Sequence, residues 1–255
     1  MVDVSLRHKS RSRPSPRRQK LRDAGRRFRL AWRHWHTVAL IVILAIVAVA
    51  IVGYAILQFV VDDGPSGRTD DPRPVAFVVA GEKFAIPANM LRSPAGRHAG
   101  TVDKVDLVLH WPGLGGYSKA LADTFRDDSP NAPLLFVSIM ARDSPIDSDA
   151  RLDTVYSRFF VGTPLPGPGG LVGRRLSDDS GYRGEIVYFV PAGEATFVAR
   201  CFAEATAEMP ATCLRDVNIG NNLSMLYRFS RDYLGDWAAI DSRLRRLAAG
   251  FLAAG

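Results

Sequence analysis

His110 and Ser118 are the residues whose types could support hydrolysis. A serine nucleophile needs a neighbouring base to accept its proton and a third group to orient that base. His110 ends an alternating apolar stretch, and Ser118 follows in GLGGYS, which is not the G-x-S-x-G sequence of a nucleophile elbow. A hydrolase centred on His110 is therefore an alternative hypothesis, and a partly exposed histidine at a strand end is the ordinary interpretation.

Other catalytic and cofactor patterns are weaker. The Gly-rich run 167–173 lacks the Lys-Ser/Thr pair of a phosphate-binding loop, and its glycine spacing misses G-x-G-x-x-G. The acidic residues fall in polar turns and caps, and only His98 and His110 lie outside the basic N-terminal tail. We expect no catalytic residue, no cofactor and no metal ligand, and we favour a non-enzymatic function.

The two cysteines, Cys201 and Cys213, are twelve residues apart. In an oxidising compartment such a pair predicts a disulfide, which would close a short loop and stabilise the fold by about 3 kcal/mol. Reduced buried thiols, or two ligands of a metal site, are the alternatives, although this spacing is not a zinc pattern.

Aromatic and arginine side chains in two loops predict a binding surface. Trp111 and Tyr117 flank a Gly-rich turn, and a later Gly/Pro-rich segment contributes Arg174, Arg175 and Tyr182. Protein interfaces are enriched in such residues. The alternative is that the aromatic rings pack on their own domain.

Residues 38–61 form a long apolar run, VALIVILAIVAVAIVGYAILQFVV, without a charged residue. At ~1.5 Å per residue a helix of this length spans ~36 Å, more than the ~30 Å hydrocarbon core of a bilayer. We expect one transmembrane helix, with Trp32 and Trp35 at the membrane interface. A cleaved signal peptide is the alternative, because residues 48–50 read A-x-A, but cleavage there would leave an apolar N-terminus.

The charge of the chain is unevenly divided. Residues 1–37 hold 12 Lys and Arg against two Asp, and the other 218 residues hold 21 Lys and Arg against 24 Asp and Glu. The positive-inside rule then places the N-terminus in the cytoplasm and the C-terminal part on the other side of the membrane. We expect a disordered tail that contacts an anionic inner leaflet, and nucleic acid is not favoured as a partner.

These observations divide the chain into four parts: a basic tail 1–37, a transmembrane helix 38–61, a linker 62–74 and a periplasmic domain 75–255. The domain is long enough to bury a core. Its expected fold class is α+β, an antiparallel sheet with two or three helices.

Hydrophobic periodicity predicts the elements of the domain. The predicted elements are hairpins over 74–87, 184–202 and 212–230, strands over 102–112 and 133–140, and helices over 147–160 and from 236 onward. Asp147 or Ser148 would cap the first helix, and Asp236 the second. We expect residues 161–183 to be a loop and Asp241 to lie on the polar face of the last helix. Residues 197–209 fit a strand, with a helix as the alternative.

Four segments resemble those of bacterial single-pass, transmembrane-anchored proteins whose activity is uncharacterised. They are VAGEKFAIPANMLR, LVLHWPGLGGYS, FVARC with TCLRD, and YRFSRDYLGDW. The resemblance covers most of residues 75–250 and implies a bacterial inner membrane with a periplasmic domain. It implies no activity, ligand or catalytic residue.

The favoured hypothesis is a binding or scaffold module of the cell envelope, with an envelope protein as its partner. The first alternative is the hydrolase that uses His110. The second is a basic tail, residues 1–37, that recruits nucleic acid or anionic lipid, since Lys and Arg clusters bind both.

Overall fold

The computed structural model describes residues 40–51, 67–191, 196–205 and 211–255. The chain divides into two compact units, Met1–Val61 and Asp62–Gly255. In the first unit the described residues form one helix, α1, over residues 40–51. The strands and the other helices belong to the second unit.

The predicted membrane-spanning helix over 38–61 is wrong, and with it the expected fold class. Among the described residues no helix is both long and apolar enough to cross a membrane. The described part of the run, residues 40–51, is helix α1. The rest of that span, the tail with Trp32 and Trp35, and linker residues 62–66 lie outside the described residues.

The second unit is a sheet-rich domain. Its strands are β1 Pro74–Val79, β2 Glu82–Pro87, β3 Gly100–Thr101, β4 Lys104–His110, β5 Leu134–Ala141, β6 Phe160–Pro166, β7 Val172–Leu176, β8 Glu185–Phe189, β9 Val198–Phe202, β10 Thr212–Ile219 and β11 Leu223–Ser230. Its α-helices are α2 Ala122–Arg126, α3 Ser148–Thr154 and α4 Trp237–Ala253.

Among the described residues the strands form two sheets. The smaller has the order β2-β1-β3, and the larger has the antiparallel order β4-β5-β11-β10-β9-β8-β7-β6. The predicted first hairpin is confirmed as β1–β2, in which Phe77 pairs with Phe84. Its turn contains Gly81 at a φ of 82°, a left-handed conformation that glycine adopts without strain.

The eight-stranded sheet has one face on the main core and one face turned away from it. Alternate residues such as Val105, Leu107 and Leu109 of β4 point into the main core, where α4 and the smaller sheet pack. The intervening residues, such as Val108, form what we call the outer face. This alternation follows from the period of two along a strand.

The last helix is confirmed as amphipathic, with one correction. Ile240, Leu244 and Phe251 of α4 are buried in the main core. The helical period predicted that Asp241 lies on a solvated face, and this prediction is wrong. The Asp241 carboxylate instead accepts hydrogen bonds from the Tyr227 hydroxyl at 2.7 Å and the Arg245 Nε at 2.9 Å.

The predicted loop over 161–183 is wrong. Most of it forms the hairpin β6–β7, whose register shifts between Val161 and Leu165. Pro164 and Pro166 are tolerated because β6 is the edge strand of the sheet, where one side of the backbone needs no partner. Gly and Pro therefore mark a bulged edge strand here, not a loop.

The other predictions are confirmed in part, since α2 and β3 were not predicted and Asp236 precedes α4 without a side-chain capping hydrogen bond. Asp147 caps α3 by accepting a hydrogen bond from the Ala150 amide at 3.2 Å, and a 3-10 turn, Tyr156–Phe159, continues the helix. The strand interpretation of the segment before Cys201 is confirmed by β9, whereas residues 206–209 lie outside the described residues.

The predicted disulfide is confirmed between Cys201 of β9 and Cys213 of β10. The two residues face each other across the antiparallel ladder and are fully buried. Such a bond is typical of proteins that fold in an oxidising compartment.

Candidate functional site

A pocket of about 330 Å³ opens on the outer face of the eight-stranded sheet. Its main wall residues are Arg68, Arg92, Arg228, Phe125 and Phe136. Arg228 and Phe136 lie opposite each other on the neighbouring strands β11 and β5, and Phe125 is the buried residue of α2. The site therefore joins two strands, one short helix and the segments before β1 and β4.

Two phenylalanine rings support the three guanidinium groups. Arg92 and Arg228 lie 5.6 Å and 4.9 Å from the centroid of the Phe136 ring, and Arg68 lies 5.2 Å from the centroid of Phe125. Cation–π contacts of this kind are worth about 0.5–1 kcal/mol at exposed sites. A guanidinium that stacks on a ring keeps its in-plane N–H donors available for another group.

Within the described part of the chain, these three guanidinium groups have neither an ion pair nor a hydrogen bond. Each of the other arginines that lie over aromatic rings makes an ion pair or a hydrogen bond. Arg200 lies over Tyr182 and pairs with Glu185 at 2.9 Å. Arg174 and Arg243 donate hydrogen bonds to backbone carbonyls, and Arg215 pairs with Asp149. The pocket thus gathers three cations that pair with no carboxylate of the described residues.

The electrostatics of the pocket favour an anion. Burial lowers the pKa of Arg68, and the charges of Arg92 and Arg97 lower it further, which shows that the cations here repel one another. Asp127 and Asp128 line the exposed rim without pairing with the three arginines. An anionic ligand would relieve the repulsion among the cations.

Arginine is well suited to such a ligand. Its planar fork matches a carboxylate or a phosphate with two parallel hydrogen bonds, and these charge-assisted bonds are stronger than neutral ones. The hydroxyl groups of Thr212 and Ser230 also line the pocket and can donate. The arrangement can therefore bind and orient an anion.

His110 and Ser118 do not form a catalytic pair. His110 pairs with Leu134 across the β4–β5 ladder, and its backbone amide donates to Gly115 O at 2.8 Å. Among the described residues its imidazole has no hydrogen-bond partner. In the described part of the chain, His110 therefore has neither the contact with a serine nor the orienting carboxylate that the hydrolase hypothesis requires.

The structure separates the residues of the predicted binding surface. Trp111 follows β4 at one edge of the sheet and is only 6 % exposed, and its Nε1 lies 3.4 Å from Asp236 Oδ2. Arg174 lies toward the other edge, over the Phe160 ring at 4.9 Å. Near it in sequence, Arg175 is exposed.

Two tyrosines of that predicted surface also lie apart. Tyr182 lies under the Arg200 guanidinium at 4.2 Å, on the covered end of the outer face. Tyr117 contacts Phe125 edge-to-face, with 5.6 Å between ring centroids, and so adjoins the pocket. Tyr117 is the member of the predicted surface that the structure brings to the candidate site.

Sequence reasoning missed Arg68, Arg92 and Arg228. One signal could have indicated Arg228: it interrupts the apolar pattern of β11 between Tyr227 and Phe229, at a position that alternation assigns to the outer face. Nothing in the sequence could have joined Arg68 or Arg92 to it.

A second polar cluster lies under an open depression between α3 and α4. The depression is about 680 Å³ and is lined by Asp147, Asp149, Asp241 and Arg245, among others. Its buried acids are already bound, since Asp149 and Asp241 both pair with Arg215. Among the described residues no group of acids, histidines and cysteines could hold a metal ion.

Comparisons with known proteins assign no family. No family model and no curated protein matches the chain. A solved structure of Smlt3025, an immunity protein of the Stenotrophomonas maltophilia type IV secretion system, is 17% identical, with a TM-score of 0.49 over 71% of this chain and 93% of that one. The Neisseria meningitidis iron-regulated outer membrane lipoprotein FrpD is 13% identical, with a TM-score of 0.47 over 74% of this chain and 98% of that one.

Proposed function

We propose that the domain is a binding module of an oxidising envelope compartment, and that its arginine pocket holds an anionic group of the ligand. The observation that carries the proposal is the set of three guanidinium groups that lie over phenylalanine rings and pair with no carboxylate of the described ranges. The buried Cys201–Cys213 disulfide supports the compartment, because such bonds persist where thiols are oxidised.

The phenylalanine rings preorganise the arginines of the pocket for ligand binding. Phe136 positions Arg92 and Arg228 by stacking, so less side-chain entropy is lost when an anion binds than with freely rotating arginines. The three cations come from well-separated parts of the chain and meet only in the folded state. Binding therefore requires the native fold.

The test is a calorimetric titration of the purified full-length chain with tripolyphosphate and with citrate at low ionic strength. We expect Arg92→Ala and Arg228→Ala each to weaken binding about tenfold, because each removes one charge-assisted contact. Arg246→Ala is the matched control, since Arg246 is an exposed arginine of α4, away from the outer face.

Two results would contradict the proposal. One is the absence of binding to either anion by the folded wild-type protein. The other is an equal effect of Arg228→Ala and Arg246→Ala, which would reduce the interaction to the general charge of the chain. Affinity should also fall with added salt, since the contacts are ionic.

A further inference from the structure

The outer face contains an apolar strip that begins at the arginine pocket. Leu226 lies two residues before Arg228 on β11, and Leu214 lies opposite Arg228 on β10. Met140 lies on the same face of β5, opposite Ser224. All three apolar side chains are only half-buried, whereas apolar residues of the inner face are fully buried.

Among the described residues, short helices lie on the outer face at both sides of this strip. On one side Phe125 of α2 packs on Val108 and Leu134. On the other side Tyr156, just after α3, packs on Val187 and Val198. Between them, the half-buried strip lies on the middle strands β5, β11 and β10, and α3 borders it at Asp216, which lies opposite Leu226.

The composition of the pocket and strip is that of a protein interface. Arginine and aromatic residues are enriched at interfaces and lysine is depleted, and the pocket wall has three arginines, three phenylalanines and no lysine, with two aspartates at its rim. A small anion would neutralise the guanidinium groups but would leave Leu214 and Leu226 in water. A longer ligand with apolar groups beside its charge would cover both.

We propose, resting on the function proposed above, that the ligand is a segment of a partner protein. A carboxylate side chain of the segment enters the arginine pocket, and apolar side chains beside it cover Leu214, Leu226 and Met140. The charge complementarity of the pocket selects an acidic segment, and the strip selects one in which acidic and apolar residues alternate closely.

The test uses two fluorescent peptides of equal charge, four repeats of Glu-Leu-Asn and four repeats of Glu-Ser-Asn. Fluorescence anisotropy with the full-length chain should show the leucine peptide binding about tenfold more tightly, because it buries apolar surface on the strip. Leu226→Ser and Leu214→Ser should each reduce that advantage and leave the serine peptide unaffected. Met140→Gln is a further strip variant that preserves side-chain length.

Val161→Ser is the matched control, because Val161 is an exposed apolar residue of the edge strand β6. It should leave both affinities unchanged. Thermal melts of each variant establish that it is folded before its affinity is compared.

The outcomes separate this inference from the function on which it rests. Equal binding of the two peptides, or a leucine advantage that survives in all three folded strip variants, overturns the inference alone. Binding of tripolyphosphate without binding of either peptide also overturns it, and makes the pocket a small-anion site. If neither peptide nor tripolyphosphate binds, both proposals fail.

Discussion

Arg215 and Asp149 form a bidentate ion pair, with 2.5 Å between Nη1 and Oδ1 and 3.0 Å between Nη2 and Oδ2. The Arg215 side chain is 0% exposed, and its Nε also donates to Asp241 at 3.1 Å. One arginine of β10 thereby connects the first turn of α3 to α4. Beside it the Asp216 amide donates to Ser148 Oγ at 3.0 Å, so α3 satisfies a backbone group of β10 that β9 leaves unpaired.

Replacing Arg215 should destabilise the domain strongly. Arg215→Met leaves Asp149 without its cation and Asp241 with Arg245 alone, and breaking a buried pair typically costs about 3–5 kcal/mol. Urea unfolding followed by circular dichroism measures the loss, with Arg246→Ala as the surface control. A loss no larger than that of the control would show that the ion pair does not hold the helices. Adding Asp149→Asn to Arg215→Met should recover part of the loss if the two residues are coupled.

The stability contributed by Asp241 should depend on pH. Burial by itself raises the pKa of Asp241, but the Arg215 charge and the hydrogen bonds from Arg245 and Tyr227 outweigh it, so the pKa lies below its ordinary value. A group whose pKa is lowered by folding stabilises the protein above its unfolded pKa of ~3.9, and this contribution is lost as the pH falls through the folded pKa. The difference in unfolding free energy between wild type and Asp241→Asn should therefore shrink below about pH 4. A difference that is constant from neutral to acid pH would refute the assignment.

Reduction of the disulfide should lower stability. The bond closes a loop of sequence separation 12, and the chain-entropy model gives about 3 kcal/mol for a loop of this size. Thermal melts with and without dithiothreitol measure the effect. The double variant Cys201→Ala, Cys213→Ala should melt lower than the oxidised protein and should not respond to dithiothreitol.

Gly116→Ala should destabilise the turn after β4. A Cβ at Gly116 would lie 2.5 Å from Asn89 O, and that oxygen accepts the Tyr117 amide at 2.7 Å. Because the obstacle is backbone, it cannot rotate away, and the strain should cost about 1–3 kcal/mol. Gly113→Ala is the control, since nothing lies within 4 Å of its added Cβ. Equal melting temperatures for the two variants would contradict the close approach.

The Phe136 ring should matter for anion affinity. Phe136→Leu keeps an apolar side chain but removes the ring that restrains Arg92 and Arg228, and because both side chains must then be ordered on binding, the affinity should fall about threefold to tenfold. Calorimetry with tripolyphosphate measures it. Phe160→Leu removes the equivalent support from Arg174 and should leave the affinity unchanged. If both variants bind as wild type does, the rings do not organise the pocket.

Local periodicity predicted much of the sheet. The hairpins β1–β2, β8–β9 and β10–β11 were each indicated by alternation on both sides of a turn, and the structure confirms them. The pattern failed at β6–β7, because Gly162 and the prolines of β6 imitate a loop and their tolerance depends on β6 being at the edge of the sheet. Whether β6 lies at the edge depends on the strand order of the whole sheet, and the local pattern of residues does not contain that information.

The apolar run from 38 to 61 shows a different limit. Its length and lack of charge satisfy the criterion for a spanning helix by counting alone. Among the described residues, however, no helix is long and apolar enough to cross a membrane. Of the run, the structure describes residues 40–51.

By itself the sequence determined the strand alternation, the amphipathic last helix and the pairing of the two cysteines. These features depend on backbone periods of two and 3.6 residues and on a short loop, which neighbouring residues specify. Only the tertiary structure decided which arginines are neutralised. Arg215 and Arg228 lie on adjacent strands, yet the first meets Asp149 of α3 and the second meets Phe136 of β5. Each contact depends on strand order and register between distant segments, and no local pattern encodes that arrangement.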